Sequence, residues 1–144
     1  MKDFLIKKMT KDLTKMSDYF TSARHALEWG RATHIRTMGH ETGLSEAISD
    51  IIDKIRELNQ STYNIAMNGA SFGNKHICLN DVQLIINRVR YLGDDVGLDK
   101  IMGDIDYTRN IIYDLTKAYN HMFTVMCYTP IDETVPTTLI RHED

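Results

Sequence analysis

The sequence has few of the residues that mark secreted or membrane-spanning proteins. Only two of its 144 residues are cysteine and two are proline. Cys78 and Cys127 are far apart and form neither a CxxC pair nor a disulfide framework, which favours a reducing, cytoplasmic compartment. No run of 18 apolar residues occurs, so we expect no membrane span. The apolar stretch near the N-terminus, residues 4–6, is too short for a signal peptide.

Basic residues are too sparse to predict a nucleic-acid-binding surface. Residues 1–40 carry eight Lys or Arg against four acids, a net charge of +4. Because the whole chain has a net charge of −3, residues 41–144 carry −7. A nucleic-acid footprint needs a denser basic stripe than this. Segments of opposite charge can attract one another within a fold or between copies of the chain.

Nothing in the composition calls for a metal, a disulfide or a cofactor to stabilise a core. Hydrophobic residues make up 42% of the chain and charged residues 26%, which are ordinary globular values. A single domain of this length buries about two thirds of its unfolded surface. We therefore predict one domain and no cofactor.

Apolar residues recur at alternating gaps of three and four in four segments, which is the spacing of amphipathic helices. The four predicted helices cover about 2–38, about 43–67, the stretch from Asn80 or Asp81 to Gly93, and the stretch from Leu98 to just before Pro130. Thr42 is the expected N-cap of the second helix. Residues 69–80, GASFGNKHICLN, are predicted to form a loop because they contain two glycines and two asparagines.

This pattern predicts an all-α fold, an antiparallel helical bundle of about four helices with heptad-like core spacing. The bundle domain is expected over residues 1–128 and an extended or flexible C-terminal tail over residues 129–144. The first helix would be about 55 Å long and the third about 20 Å. Part of the first stripe would then be uncovered, so either the helix bends near Trp29 or a second chain packs there as a homodimer.

Four polar residues fall on the predicted core stripes: His34, Thr62, Thr108 and Tyr119. Buried polar groups are costly unless they are hydrogen-bonded. We expect these residues to set helix register and oligomeric state. No second histidine falls on a stripe, so a histidine-based metal site is not predicted.

Two histidines lie in short motifs that resemble phosphotransfer motifs. HETGLSEAI, which begins at His40, resembles the H-E-x-x-T-P-L motif of dimerising histidine-kinase helices, with two residues fewer and Gly43 in place of proline. Two residues correspond to a rotation of about 200° around a helix, so His40 would face away from the side on which the resembled motif needs its histidine. His25 in RHALEWG resembles the H-x-L-K-G motif of histidine phosphotransfer bundles, with Glu28 and Trp29 nearby instead of lysine and a small residue. Histidine phosphotransfer is kept as an alternative function.

An acidic row is the strongest sign of enzyme chemistry. Its members are Glu46, Asp50, Asp53 and Glu57, at gaps of four, three and four on one face of the second helix. Such carboxylates suit Mg²⁺, and the row resembles that of the all-α nucleotide pyrophosphohydrolases. The row lies outside the core stripe and is interleaved with basic residues, as on a solvated face. Magnesium-dependent nucleotide hydrolysis is the second alternative.

Protein binding is the function that the sequence favours. Trp29 lies off the core stripe, with Arg24 and Arg31 nearby, and Trp and Arg dominate binding hot spots. Phe72 in the predicted loop is a further candidate contact. No acid, base and nucleophile converge in the pattern. We therefore expect a small soluble bundle that acts as an adaptor, inhibitor or assembly component, with no catalytic residues.

Overall fold

A computed structural model describes the backbone of residues 2–129 and the side chains of residues 7–129. The described part of the chain contains five helices: α1 (Lys2–Met38), α2 (Gly43–Asn68), α3 (Phe72–Asp94), α4 (Leu98–Met102) and α5 (Tyr107–Tyr128). Apart from Thr129, the predicted C-terminal tail lies outside the described residues.

The four long helices form an antiparallel bundle, as the apolar spacing predicts. α1 packs against α2 and α5, and α3 packs against the same two helices. The residue numbers of the contacts between α1 and α5 run in opposite directions along the two helices, since Asp12 contacts His121 whereas Ser22 contacts Asp114. The two helices are therefore antiparallel. The all-α helical bundle is therefore confirmed.

The core is built from the predicted stripes of α1 and α2. Every predicted stripe position of α1 from Met9 to His34 is buried, and so are the α2 positions from Ile48 to Ile65. Phe20 and Leu27 are among the largest fully buried side chains. Truncating such a residue to alanine costs about 2–5 kcal/mol, so these stripes carry much of the stability.

The predicted loop over residues 69–80 is wrong, because α3 begins at Phe72. The Ser71 hydroxyl caps the helix by accepting from the Asn74 amide at 3.4 Å. Gly73 and Asn74 lie in the first turn, where they interrupt little of the helical hydrogen bonding. Burial of Cys78 on the same face as Val82 extends the core stripe through this segment.

The correction changes the length of the third helix. α3 has 23 residues and is about 34 Å long, instead of about 20 Å. The unequal lengths were the reason to expect a second chain against α1, and the difference between α1 and α3 falls from about 35 Å to about 21 Å. The argument from helix length is therefore weaker, and a homodimer stays a prediction.

The predicted fourth helix is two helices. α4 ends at Met102 and is followed by Gly103, whose positive φ of 67° favours glycine, and α5 begins at Tyr107. The three-four spacing from Leu98 predicts that Ile101 and Ile105 lie on the core stripe, yet 42% and 85% of their surfaces are exposed. The three-four spacing of apolar residues continues through residues 103–106, so the spacing does not reveal that the helix is interrupted there.

The buried polar residues His34, Thr62 and Thr108 each take part in a hydrogen bond. His34 shares a 2.8 Å hydrogen bond with the hydroxyl of Thr42, the predicted N-cap of α2. Thr62 donates to the Leu58 carbonyl at 2.8 Å, and the Thr108 amide donates to Asp99 at 2.8 Å. His34 therefore ties the end of α1 to the start of α2.

Two glycines allow α5 to approach its neighbours closely. A β-carbon at Gly93 would lie 3.1 Å from Thr108 Cβ and 3.2 Å from its Cγ2. A β-carbon at Gly30 would lie 3.0 Å from Tyr107 Cζ. Tyr107 is buried there and its hydroxyl donates to the Ala26 carbonyl. The start of α5 is thus wedged between α1 and α3.

Gly93→Ala tests the close approach of α3 and α5. Thr108 is short, branched and buried, so it has little freedom to move away, and we expect a net loss of about 1–2 kcal/mol in unfolding free energy despite the better helix propensity of alanine. Urea denaturation measures the change. Gly43→Ala is the control, because nothing lies within 4 Å of its added β-carbon. Equal stabilities for the two variants would contradict the close approach.

Tyr107 gives the fold a specific dependence on alkaline pH. Burial raises the pKa of its phenol to about 12, and the charge of Asp99 adds to this rise. A raised folded pKa stabilises the fold fully below the unfolded value of about 10, and this stabilisation is lost as the pH rises toward 12. We expect the unfolding free energy of the wild type to fall more between pH 9 and pH 11.5 than that of Tyr107→Phe. Parallel losses in urea denaturation would refute this.

Candidate protein-binding surface

The predicted partner-binding residues of α1 do not share one free surface. Trp29 points outward and is 60% exposed. Arg24 instead pairs with Glu28 at 3.4 Å, and Glu28 also accepts from Arg56 of α2 at 3.0 Å. Arg31 pairs with Glu41 in the connection to α2. Arg24 therefore lies beside α2, next to the Glu28–Arg56 pair, and Arg31 is tied to the α1–α2 connection.

Phe72 lies near the opposite end of the bundle from Trp29. It is half-buried at the first residue of α3 and stacks on His76 with ring centroids 5.6 Å apart. In the same turn, Lys75 donates to the Thr129 carbonyl beyond the end of α5 at 3.1 Å. The start of α5 instead contacts Ala26 near Trp29. A binding role for Trp29, Arg24, Arg31 or Phe72 stays a prediction.

The two phosphotransfer candidates are surface histidines. His40 is exposed in the α1–α2 connection, where its Nδ1 donates to the Glu41 carbonyl at 2.7 Å. His25 is exposed on α1. The two therefore lie outside the packed face of their elements.

The acidic row of α2 also faces outward. All four of its carboxylates are exposed. Asp53 pairs with Arg56 at 3.8 Å and Glu57 pairs with Lys54 at 3.3 Å. Within residues 7–129, no group of three His, Cys, Asp or Glu side chains is arranged to hold a metal ion.

A stripe of large apolar residues on α3 was missed by the sequence analysis. Ile77, Leu84 and Tyr91 are 58%, 54% and 58% exposed. They are seven residues apart, so they lie on nearly one line along about 21 Å of helix. The repeat was detectable in the sequence, but the predicted loop over residues 69–80 removed its first member from the helix.

This stripe forms one wall of a groove between α2 and α3, which we call the α2–α3 groove. The groove contains two depressions. The upper depression lies beside the C-terminal half of α3 and has a volume of ≈ 500 Å³, and the lower depression lies beside the N-terminal part of α3 and has a volume of ≈ 290 Å³. The upper depression is lined by Ala47, Asp50, Ile51, Leu84, Asn87, Arg88, Tyr91 and Leu92. The lower depression is lined by Ser61, Asn64, Ile65, Asn74, Ile77 and Cys78.

An ion pair crosses the groove between the two depressions. Lys54 of α2 lies 3.1 Å from Asp81 of α3. Its hydrogen bond to Asp81 raises the pKa of Lys54, and partial burial opposes that rise. The lysine therefore stays charged near neutral pH, and the pair joins α2 to α3 between the two depressions.

The charges of the upper depression have no partners in the described part of the chain. Asp50 and Arg88 both line this depression, and neither makes an ion pair or a side-chain hydrogen bond with another described residue. In the lower depression, burial raises the pKa of the Cys78 thiol. A neutral thiol is a weak nucleophile, so Cys78 serves there as an apolar contact.

The geometry of the groove suits binding better than chemistry. No acid, base and nucleophile converge on a shared point among its lining residues. An open apolar trough with residues repeated every two turns matches the face of an amphipathic helix. The groove is the candidate binding surface of this molecule.

Magnesium titration of the acidic row tests the alternative site. The carboxylates point outward and two of them are already paired with cations, so we expect no saturable heat at millimolar Mg²⁺ in calorimetry. Asp50→Asn should behave identically to the wild type. Saturable binding that Asp50→Asn abolishes would restore the row as a metal site.

None of the helices within residues 2–129 combines the length and the hydropathy needed to cross a membrane. No family model matches the chain, and neither a curated protein nor a solved structure matches it. The function must therefore be argued from the chain's own surfaces.

Proposed function

We propose that this chain acts by binding another protein through the α2–α3 groove, as an adaptor or assembly component. The proposal is carried by one observation, the exposure of Ile77, Leu84 and Tyr91 in a single stripe. Scattered exposed apolar residues are ordinary, but large apolar residues repeated along one helix face beside a groove are typical of an interaction site.

Burial of this stripe would supply a moderate binding energy. Each of the three side chains is a little over half exposed. Full burial of a large apolar side chain is worth about 1.5–3 kcal/mol, so covering the rest of each gains about 1 kcal/mol. Tyrosine is also enriched among binding hot spots, which favours Tyr91 as an anchor. Because association costs several kcal/mol, we expect reversible rather than permanent binding.

A helix is the partner shape that fits best. The stripe is straight and about 21 Å long, which equals the length of a four-turn helix. The Lys54–Asp81 pair crosses the middle of the groove, so an occupant needs a small or polar residue at that level. Apolar residues of the occupant that lie one and two turns before and after the level of this ion pair would enter the two depressions.

The two chemical alternatives gain no support from the described contacts. The acidic row lies on an exposed helix face, where Mg²⁺ would keep most of its water. His40 and His25 are exposed as well, and His40 is bonded to the adjacent backbone. Neither hydrolysis nor phosphotransfer is therefore proposed.

Affinity purification with matched variants tests this proposal. Leu84→Asp places a charge in the stripe without entering the core, whereas Trp29→Ala alters a distant exposed site. We expect a stoichiometric partner of the tagged wild type to be lost from Leu84→Asp and kept by Trp29→Ala, as measured by mass spectrometry. Circular dichroism must show equal helicity. A partner that Leu84→Asp keeps and Trp29→Ala loses would move the binding surface to α1.

A further inference from the structure

We propose that the occupant of the α2–α3 groove is a second copy of this chain, with the two α3 helices antiparallel about a two-fold axis at Leu84. This inference rests on the proposed function, since it names the partner of the same groove. It draws on three features of the surface: the positions of the apolar residues, the positions of the charges, and the area.

The apolar stripe is symmetric about its centre. Ile77 and Tyr91 lie seven residues before and after Leu84, and all three are exposed to a similar degree. A two-fold interface is self-complementary, so each contact occurs twice. An antiparallel pair about Leu84 places Leu84 against its own copy and Ile77 against Tyr91 of the second copy. Every exposed apolar residue of the stripe then has an apolar partner.

The charges of α3 favour the same orientation. Arg88 lies four residues after Leu84, and Asp81 lies three residues before it. The antiparallel arrangement therefore brings Arg88 of each copy beside Asp81 of the other, where it joins the Lys54–Asp81 pair. Asp50, which lines the same depression as Leu84, is a second carboxylate close to the axis. A parallel pair would instead place Arg88 beside Arg88, which is repulsive.

The available area predicts a weak dimer. A contact about 21 Å long and two helices wide covers roughly 1,000 Å² in total, counting both copies. This lies at the low end of specific interfaces, where complexes are transient. The dimer should therefore appear only as the concentration of the chain rises.

Analytical ultracentrifugation of the full chain over a concentration series is the first test. We expect the mean mass to rise from 16.6 kDa toward twice that value with increasing concentration. Leu84→Asp places two carboxylates against each other on the axis, and we expect it to raise the dimer dissociation constant at least tenfold. Tyr113→Asp adds the same charge on an exposed position of α5, outside the groove, and should leave the constant unchanged.

Disulfide trapping tests the orientation. In a Cys127→Ser background, which removes the exposed native thiol, Ile77→Cys and Tyr91→Cys chains are mixed and oxidised in air. The antiparallel model predicts that the mixture gives crosslinked dimers and that each variant alone gives few. Efficient crosslinking of Ile77→Cys alone would indicate parallel helices and overturn the model.

The outcomes separate this inference from the proposed function. A wild type that stays monomeric overturns the second copy as the occupant, while a different protein lost on Leu84→Asp keeps the groove as a binding site. A monomer with no such partner overturns both. A dimer that Leu84→Asp leaves intact uses another surface, so it too contradicts the inference. Slow thiol labelling of Leu84→Cys in a monomeric chain would assign the groove to a segment of the chain itself.

Discussion

Burial of one apolar stripe along α1 is the interaction on which the rest of the molecule depends. The stripe runs without a break from Met9 to Leu27, ends at His34, and is longer than any other helix face in the bundle. α2 and α5 each cover one side of it, and the short connection through Thr42 makes α2 antiparallel to α1. α3 then has one remaining place, across from α1 and between α2 and α5. The order of the bundle follows from covering that stripe.

The position of α3 explains why the molecule has an exposed apolar groove. Its core face, with Val82, Ile85 and Val89, closes the bundle. Its contact with α5 is close because Gly93 lies against Thr108, whereas its contact with α2 is less extensive and is crossed by the Lys54–Asp81 pair. The groove therefore opens on the α2 side of α3. A helix that carries both a core stripe and a second apolar stripe has more apolar surface than its own bundle covers.

The charged residues of this chain mostly hold helices together. Glu28 links α1 to Arg56 of α2, Arg31 reaches Glu41, and Lys54 reaches α3. These pairs are partly exposed, so each contributes about 0–1 kcal/mol, and their effect is on helix placement more than on stability. The acidic row differs, because Asp53 and Glu57 pair with cations of α2 itself.

The sequence by itself determined the helical class, the bounds of α1 and α2 to within a residue, and the buried face of each. It could do so because a three-four spacing of apolar residues has one physical meaning, a helix with one buried side. The sequence prediction failed at Phe72, where a serine cap and the burial of Cys78 outweighed the glycines. It also failed at Ile105, where the apolar spacing continues across the segment between α4 and α5. The tertiary structure alone decided that Arg24 lies beside α2 and that Arg31 pairs with Glu41. It also decided that Trp29 and Phe72 lie near opposite ends and that α2 and α3 enclose a groove. Periodicity specifies which side of a helix is buried, whereas the distance between two helices depends on side chains that are far apart in the sequence.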